Sequence, residues 1–122
     1  MTDSRRVIEQ WTEVWNDGRL DLIPGLVADP CLRHRPGRTD KFTVADNVER
    51  VRAGRQRFPG VAFDNVVLAA DGEHVTSVYT MRWTDPDTGG QRREAAGIEV
   101  FRIVDGRITE TWNVEPGEGP WR

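Results

Sequence analysis

In GIEVFRIVDGRITETWN, residues Gly97 to Asn113, two runs rich in β-branched and aromatic side chains flank an Asp-Gly pair. Asp-Gly supplies the positive φ that a tight hairpin needs, so the stretch reads as two antiparallel strands. Strand alternation places Gly97, Glu99, Phe101 and Ile103 on one face and Ile98, Val100 and Arg102 on the other. After the turn, Thr109, Thr111 and Asn113 oppose Ile108, Glu110 and Trp112. Glu99 stands out because its near neighbours on both sides are apolar. A carboxylate there is exposed, ion-paired with Arg82 or Arg102, or held in a pocket where desolvation raises its pKa.

Upstream, Val61–Ala70, Glu73–Thr84 and Gln91–Val104 have the same strand composition, separated by Asp71-Gly72 and by Asp85–Gly90. In the second of these, Ser77, Tyr79, Met81 and Trp83 share a face. The first half is helical in pattern. Val7, Ile8, Trp11, Val14 and Trp15 form one stripe over Ser4–Asn16, ended at Asp17-Gly18. Arg19–Val27 reads as a short helix interrupted by Pro24. Cys31–Arg35 reads as a short strand stopped by Pro36-Gly37. Thr43 caps a third helix carrying Val44, Val48, Val51 and Phe58, ended by Pro59-Gly60. Arg50, Arg52, Arg55 and Arg57 read as its solvated or ion-paired side.

The expected architecture is α+β: three N-terminal helices on a curved, mainly antiparallel sheet, with the early strand added at an edge. Helices cover one sheet face only, so the other is expected to pair with a second copy of the chain, with Trp112 as a dimer or core anchor. The 122 residues make a single domain, 1–122, with 116–122 a loosely ordered tail. A net charge of −3 argues against nucleic-acid binding. No run approaches the ~20 apolar residues of a membrane span, and MTDSRRVIEQ has no apolar stretch suited to a signal peptide, so a cytoplasmic location is the default. The lone Cys31 excludes an internal disulfide, and two separated histidines make a metal site an unfavoured reading. His74 beside a hairpin turn reads as solvated.

The motifs W-x3-W-N-D-G-R-L-D-L-I-P-G-L-V-A-D (Trp11–Asp29), R-H-R-P-G (Arg33–Gly37), F-P-G (Phe58–Gly60) and the Gly97–Asn113 stretch resemble the SnoaL-like group of the nuclear transport factor two-like superfamily. The resemblance covers roughly residues 4–115. It implies a cone-shaped α+β barrel around an apolar pocket. It also implies that Glu99 faces the pocket, where ketosteroid isomerases keep a protonated carboxylic acid as a hydrogen-bond donor.

Known active sites of this superfamily are each incomplete here. Trp11 stands for the isomerase tyrosine and Arg35 for its general-base aspartate; an arginine cannot abstract a proton near neutral pH. Tyr79 and Met81 replace the Arg/Asp pair of the limonene-epoxide-hydrolase-like members. Asn113 replaces the last-strand aspartate of the SnoaL-type cyclases, and an amide is no acid/base.

The candidate catalytic set is Glu99, Tyr79, Asn113, His34 and Arg35, with Glu99 as acid/base and His34 as an alternative base. Tyr79 and Asn113 would polarise a carbonyl, and Arg35 would hold a carboxylate or enolate. Trp11, Trp15, Met81, Trp83, Phe101 and Thr111 are the candidate substrate-binding residues. The expected function is a small-molecule enzyme performing cofactor-free cyclisation, isomerisation or dehydration of an apolar carbonyl compound, polyketide-like or terpenoid-like. The alternative is a non-catalytic binder or carrier of a hydrophobic small molecule.

Overall fold

The computed structural model of the chain describes residues 3–121. Helix α1 spans Ser4–Asp17, capped by the Asp3 side chain and closed by Gly18 at φ 70°. A 3-10 turn at Leu20–Leu22 leads into the four-residue α2, Ile23–Leu26. Strands β1 (Val27–Arg35) and β2 (Arg38–Phe42) follow, then α3 (Val44–Arg57). Thr43 opens α3 with a capping box: its hydroxyl accepts from Asp46 N, and the Asp46 carboxylate accepts from Thr43 N. The long meander is β3 (Ala62–Asp71), β4 (His74–Asp85), β5 (Gln91–Val104) and β6 (Arg107–Asn113).

The seven strands form one curved, unclosed sheet in the order β2-β1-β6-β5-β4-β3, with a two-residue β7 (Gly117–Glu118) paired to β5. All pairs are antiparallel except β1 with β6, where Arg33 lies beside Thr111 and His34 beside Trp112. This is the expected α+β architecture, with two differences. Pro36-Gly37 turns a hairpin instead of ending the sheet, and the short, polar Arg38–Phe42 adds an outer edge strand. The tail is tied down as well: Ala95 and Ala96 pair with Glu118 and Gly117, and the Trp121 indole donates to Tyr79 O at 2.8 Å. Residue 122 lies outside the described residues.

The helices cover the concave face. Val7, Ile8, Trp11 and Val14 of α1 are buried together with Ile23, Val27, Val51, Val75, Phe101 and Ile108. Burying side chains such as Ile8 and Val14 contributes roughly 1.5–3 kcal/mol each. At its C-terminal end α1 is bound to the sheet edge by one side chain. Asn16 Nδ2 donates to Phe63 O at 2.9 Å, and Phe63 N donates back to Asn16 Oδ1 at 2.7 Å. Helix α3 approaches α1 so closely at Gly54 that a Cβ there would stand 2.8 Å from the Trp15 ring.

Asn16→Ala leaves both Phe63 backbone groups unpaired, and the expected loss is about 1–3 kcal/mol. Urea unfolding of the variant checks this; an unchanged midpoint would show that the clamp is dispensable.

Candidate functional site

The concave face of the sheet is hollow because its middle carries small side chains. Ser77, Ala95 and Gly97 lie there, surrounded by Trp11, Trp15, Phe63, Met81 and Phe101. The cavity has a volume of about 190 Å³. Ser77, Glu99 and Asn113 stand in one cross-strand row on β4, β5 and β6, all facing into it. Tyr79, one row along, faces Gly97. A Cβ at Gly97 would lie 2.5 Å from Tyr79 Cζ, so glycine lets the phenol lie flat across β5 with its hydroxyl over the cavity.

The polar groups fall into two sets. The first is a chain running up to α1: Ser77 Oγ donates to Asn65 Oδ1 at 2.5 Å, Asn65 Nδ2 to Thr12 Oγ1 at 3.0 Å, and Thr12 Oγ1 to Ile8 O at 2.9 Å. The second is charged. Glu99 from β5, Arg33 from β1 and Arg50 from α3 all reach the cavity wall. Glu99 is half-buried and lines the cavity.

Burial raises the Glu99 pKa above the usual carboxylate range, while Arg33 and Arg50 act against that rise through their charges. Burial, with Arg33 next in effect, pulls Arg50 down to about 9, which leaves it charged at pH 7. The Tyr79 hydroxyl is pushed up to about 12 by burial and by the Glu99 charge, so it remains a proton donor at neutral pH. The Asn113 amide approaches that hydroxyl and partly offsets its rise. No fully formed hydrogen bond closes between them, and Asn113 Oδ1 is buried without a partner among the described residues.

Of the residues expected in the site, Glu99, Tyr79, Asn113, Trp11, Trp15, Met81 and Phe101 line this cavity. Four do not. Thr111 lies behind it, lining a void of about 10 Å³ beside Arg33 and Arg50. Trp83 is carried past the rim by the length of β4 and packs edge-on against Phe58 at 5.4 Å. His34 points to the convex face, where Nε2 meets Glu110 Oε2 at 2.6 Å, Nδ1 meets Thr39 Oγ1 at 2.8 Å, and the ring stacks on Trp112. Arg35 lies at the open end of β1, exposed and bonded to Asp40 at 3.0 Å. Neither His34 nor Arg35 can therefore act in the cavity.

The ion-paired alternative for Glu99 also falls. Arg82 pairs with Glu94 at 3.1 Å, and Arg102 with Glu73 and Glu110. Arg50, expected on the solvated side of its helix, is instead turned inward over the rings of Trp15 and Trp11, at 5.5 and 5.9 Å. The polar lining residues that the sequence reading missed are Thr12, Arg33, Arg50, Asn65 and Ser77, and it also missed the Phe63 ring. The signal for Arg50 was there: Asn47, Arg50, Val51 and Gly54 follow the i, i+3, i+4, i+7 spacing of an inward stripe.

The profile of the SnoaL-like domain matches residues 8–111. The chain belongs to the SnoaL-like family. No curated protein matches its sequence. Among solved structures, this SnoaL-like chain is similar to a candidate polyketide cyclase from Acidithiobacillus ferrooxidans, with TM-score 0.80 and 26% identity over 93% of this chain and 88% of that one. IdmH, a candidate polyketide cyclase from Streptomyces antibioticus, superposes with TM-score 0.81 at 21% identity over 92% and 91% of the two chains. An epoxide hydrolase of the LEH-like type from M. tuberculosis superposes with TM-score 0.75 at 19% identity, covering 91% and 76%. The last two likenesses concern the fold.

Because the folded-state pKa of Glu99 is raised, the native protein binds more protons than the unfolded chain between the usual carboxylate value and the raised one. Its stability relative to Glu99→Gln therefore falls as pH rises through that window, by at most about 1.4 kcal/mol per pH unit. Paired urea titrations of the two proteins across pH check this; a difference that does not change with pH would contradict the raised pKa.

Proposed function

We propose that the chain is an enzyme that carries out acid/base chemistry on a small apolar carbonyl compound, polyketide-like or terpenoid-like, without a cofactor. Cyclisation, isomerisation and dehydration are the reactions in view. The observation that carries this reading is one carboxyl with a raised pKa facing an apolar cavity beside two groups that can polarise a carbonyl.

Among the described residues lining the cavity, Glu99 is the one carboxyl. A single acid/base group must take a proton and give it back. A raised pKa suits both halves, since it brings proton affinity towards the operating pH. Ionised Glu99 would remove a proton α to the carbonyl. The Tyr79 hydroxyl would donate to the oxygen as negative charge develops, and the Asn113 amide can orient the same oxygen. The charges of Arg33 and Arg50 favour the enolate, taking the role the sequence reading gave Arg35. Protonated Glu99 then returns the proton at another carbon or to a departing oxygen.

The test is exchange of α-protons of small cyclic ketones in D2O, followed by NMR. The wild-type protein is expected to accelerate exchange for at least one ketone. Glu99→Gln should lose about 10²–10⁴-fold of that acceleration while changing ketone affinity little. Equal exchange in both proteins, or none in the wild type, contradicts the reading and favours a non-catalytic binder.

We also propose that the convex face pairs with a second copy of the chain. Val67, Ile98, Trp112 and Val114 lie on it at 50%, 44%, 37% and 55% exposure. Sedimentation should give a dimer mass for the wild type and a monomer for Ile98→Asp; a wild-type monomer would sink the idea.

A further inference from the structure

Among the described arginines, the two on the cavity wall are the ones with a buried Nε that has no hydrogen-bond partner. Nine arginines hold a carboxylate within 4.0 Å, at or near the surface. Six other described arginines, Arg33, Arg50, Arg55, Arg57, Arg92 and Arg107, have no such partner, and of these Arg33 and Arg50 are the two on the cavity wall. Neither donates a hydrogen bond to a described residue, and the Nε of each is buried and unpartnered. Aromatic rings flank them instead. Arg33 lies over Phe42 at 5.5 Å, and Arg50 over Trp15 at 5.5 Å, Trp11 at 5.9 Å and Phe42 at 6.0 Å. Rings beside a guanidinium take none of its N–H donors in a full hydrogen bond, and those donors are the part that recognises oxyanions.

Charge counting leads to the same place. Glu99 is the one carboxyl on the cavity wall among the described residues, and it makes no ion pair within 4.0 Å of either arginine. Ionised, it leaves the site one positive charge in excess; protonated, it leaves two. Tyr79 and the nearby Cys31 stay neutral, burial pushing the thiol up to about 11. Buried charge without a counter-charge is costly, so the site is built to be completed by an anion.

We propose that the cavity takes a small organic acid, its carboxylate held by the free N–H edges of Arg33 and Arg50 and its apolar body, about one ring in size, against Trp15, Phe63 and Met81. The size follows from the volume: about 190 Å³ is only somewhat larger than the ~150 Å³ apolar cavity that accommodates benzene. A fused multi-ring molecule could place only one end inside. The proposal rests on the same cavity as the catalytic reading and narrows its substrate to carbonyl compounds that also carry an acid group.

The experiment uses the tryptophans of the cavity wall as reporters. At pH 7 the protein is titrated with two matched pairs, benzoate against benzamide and cyclohexanecarboxylate against cyclohexanecarboxamide, with intrinsic fluorescence as the readout. In at least one pair the acid should bind about tenfold tighter or more than its amide. Arg33→Gln and Arg50→Gln should each erase that preference, and Arg50→Lys should keep part of it. Circular dichroism establishes that each variant is folded; should Arg50→Gln fail to fold, Arg33→Gln decides. Amides binding as well as the acids, no acid saturating at millimolar concentration, or a preference unchanged in folded Arg33→Gln would each overturn the proposal. Glu99→Gln, which removes the one negative group on the wall, should keep or strengthen the preference. Acid selectivity without ketone exchange thus counts against the catalytic reading alone, and ketone exchange without acid selectivity counts against this proposal alone.

Discussion

One carboxyl group and two guanidinium groups share the concave side of a protein whose interior is otherwise mostly apolar, and much of the architecture serves to hold them there. Taking such groups out of water costs several kcal/mol each. The structure offsets part of that cost by through-space attraction between Glu99 and the arginines and by aromatic rings close to the guanidinium groups. Each compensation makes a demand on the fold. Arg50 reaches the site because α3 lies against α1, which requires glycine at position 54 where Trp15 crosses. Arg33 reaches it because β1 lies parallel to β6, beside Thr111. Glu99 has room because its row and the next carry serine and glycine.

Much of this was legible in the chain. The Asp-Gly turns, the alternation of Gly97–Asn113 and the apolar stripe of α1 gave the helices and the meander, because each is a local signal with one dominant structural solution. Glu99, Tyr79 and Asn113 were legible by parity, since alternation fixes a face once one neighbour's side is known. Depth along a strand was not legible. Arg33 and Arg35 share parity, and only the position at which β1 leaves the sheet decides which lies over the cavity. Trp83 failed for the same reason, two residues beyond Met81 on a strand longer than the cavity. Arg50 failed because charge on a helix is read as solvated by default, although its spacing pointed inward. The β2 strand was missed because Pro36-Gly37 ends or turns a strand equally well, and Arg38–Phe42 has little apolar content to distinguish the two.

The SnoaL-like scaffold explains why the fold alone leaves the chemistry open: a concave sheet under three helices makes a cavity whatever lines it. What individualises this chain is the lining. Asn113 stands where the resemblance implies a last-strand aspartate, and positive charge enters from two other places, β1 and α3. On the proposed reading, proton transfer falls to one carboxyl and charge stabilisation to a pair of arginines. That division of labour fits reactions in which a proton is moved within one molecule and negative charge must be accommodated along the way. The convex face, with Trp112 stacked on His34 and flanked by aliphatic side chains, is chemically separate from the cavity.

The account stands or falls on the state of Glu99. Carbon-13 NMR titration of its carboxyl, with Glu99→Gln used to assign the signal, reads that state directly. The account predicts a midpoint clearly above the usual glutamate value of ~4.3, as burial behind an apolar wall requires. A midpoint at or below that value would mean that the arginines outweigh burial or that water reaches the group freely, and the cavity would then lack the acid on which its chemistry depends.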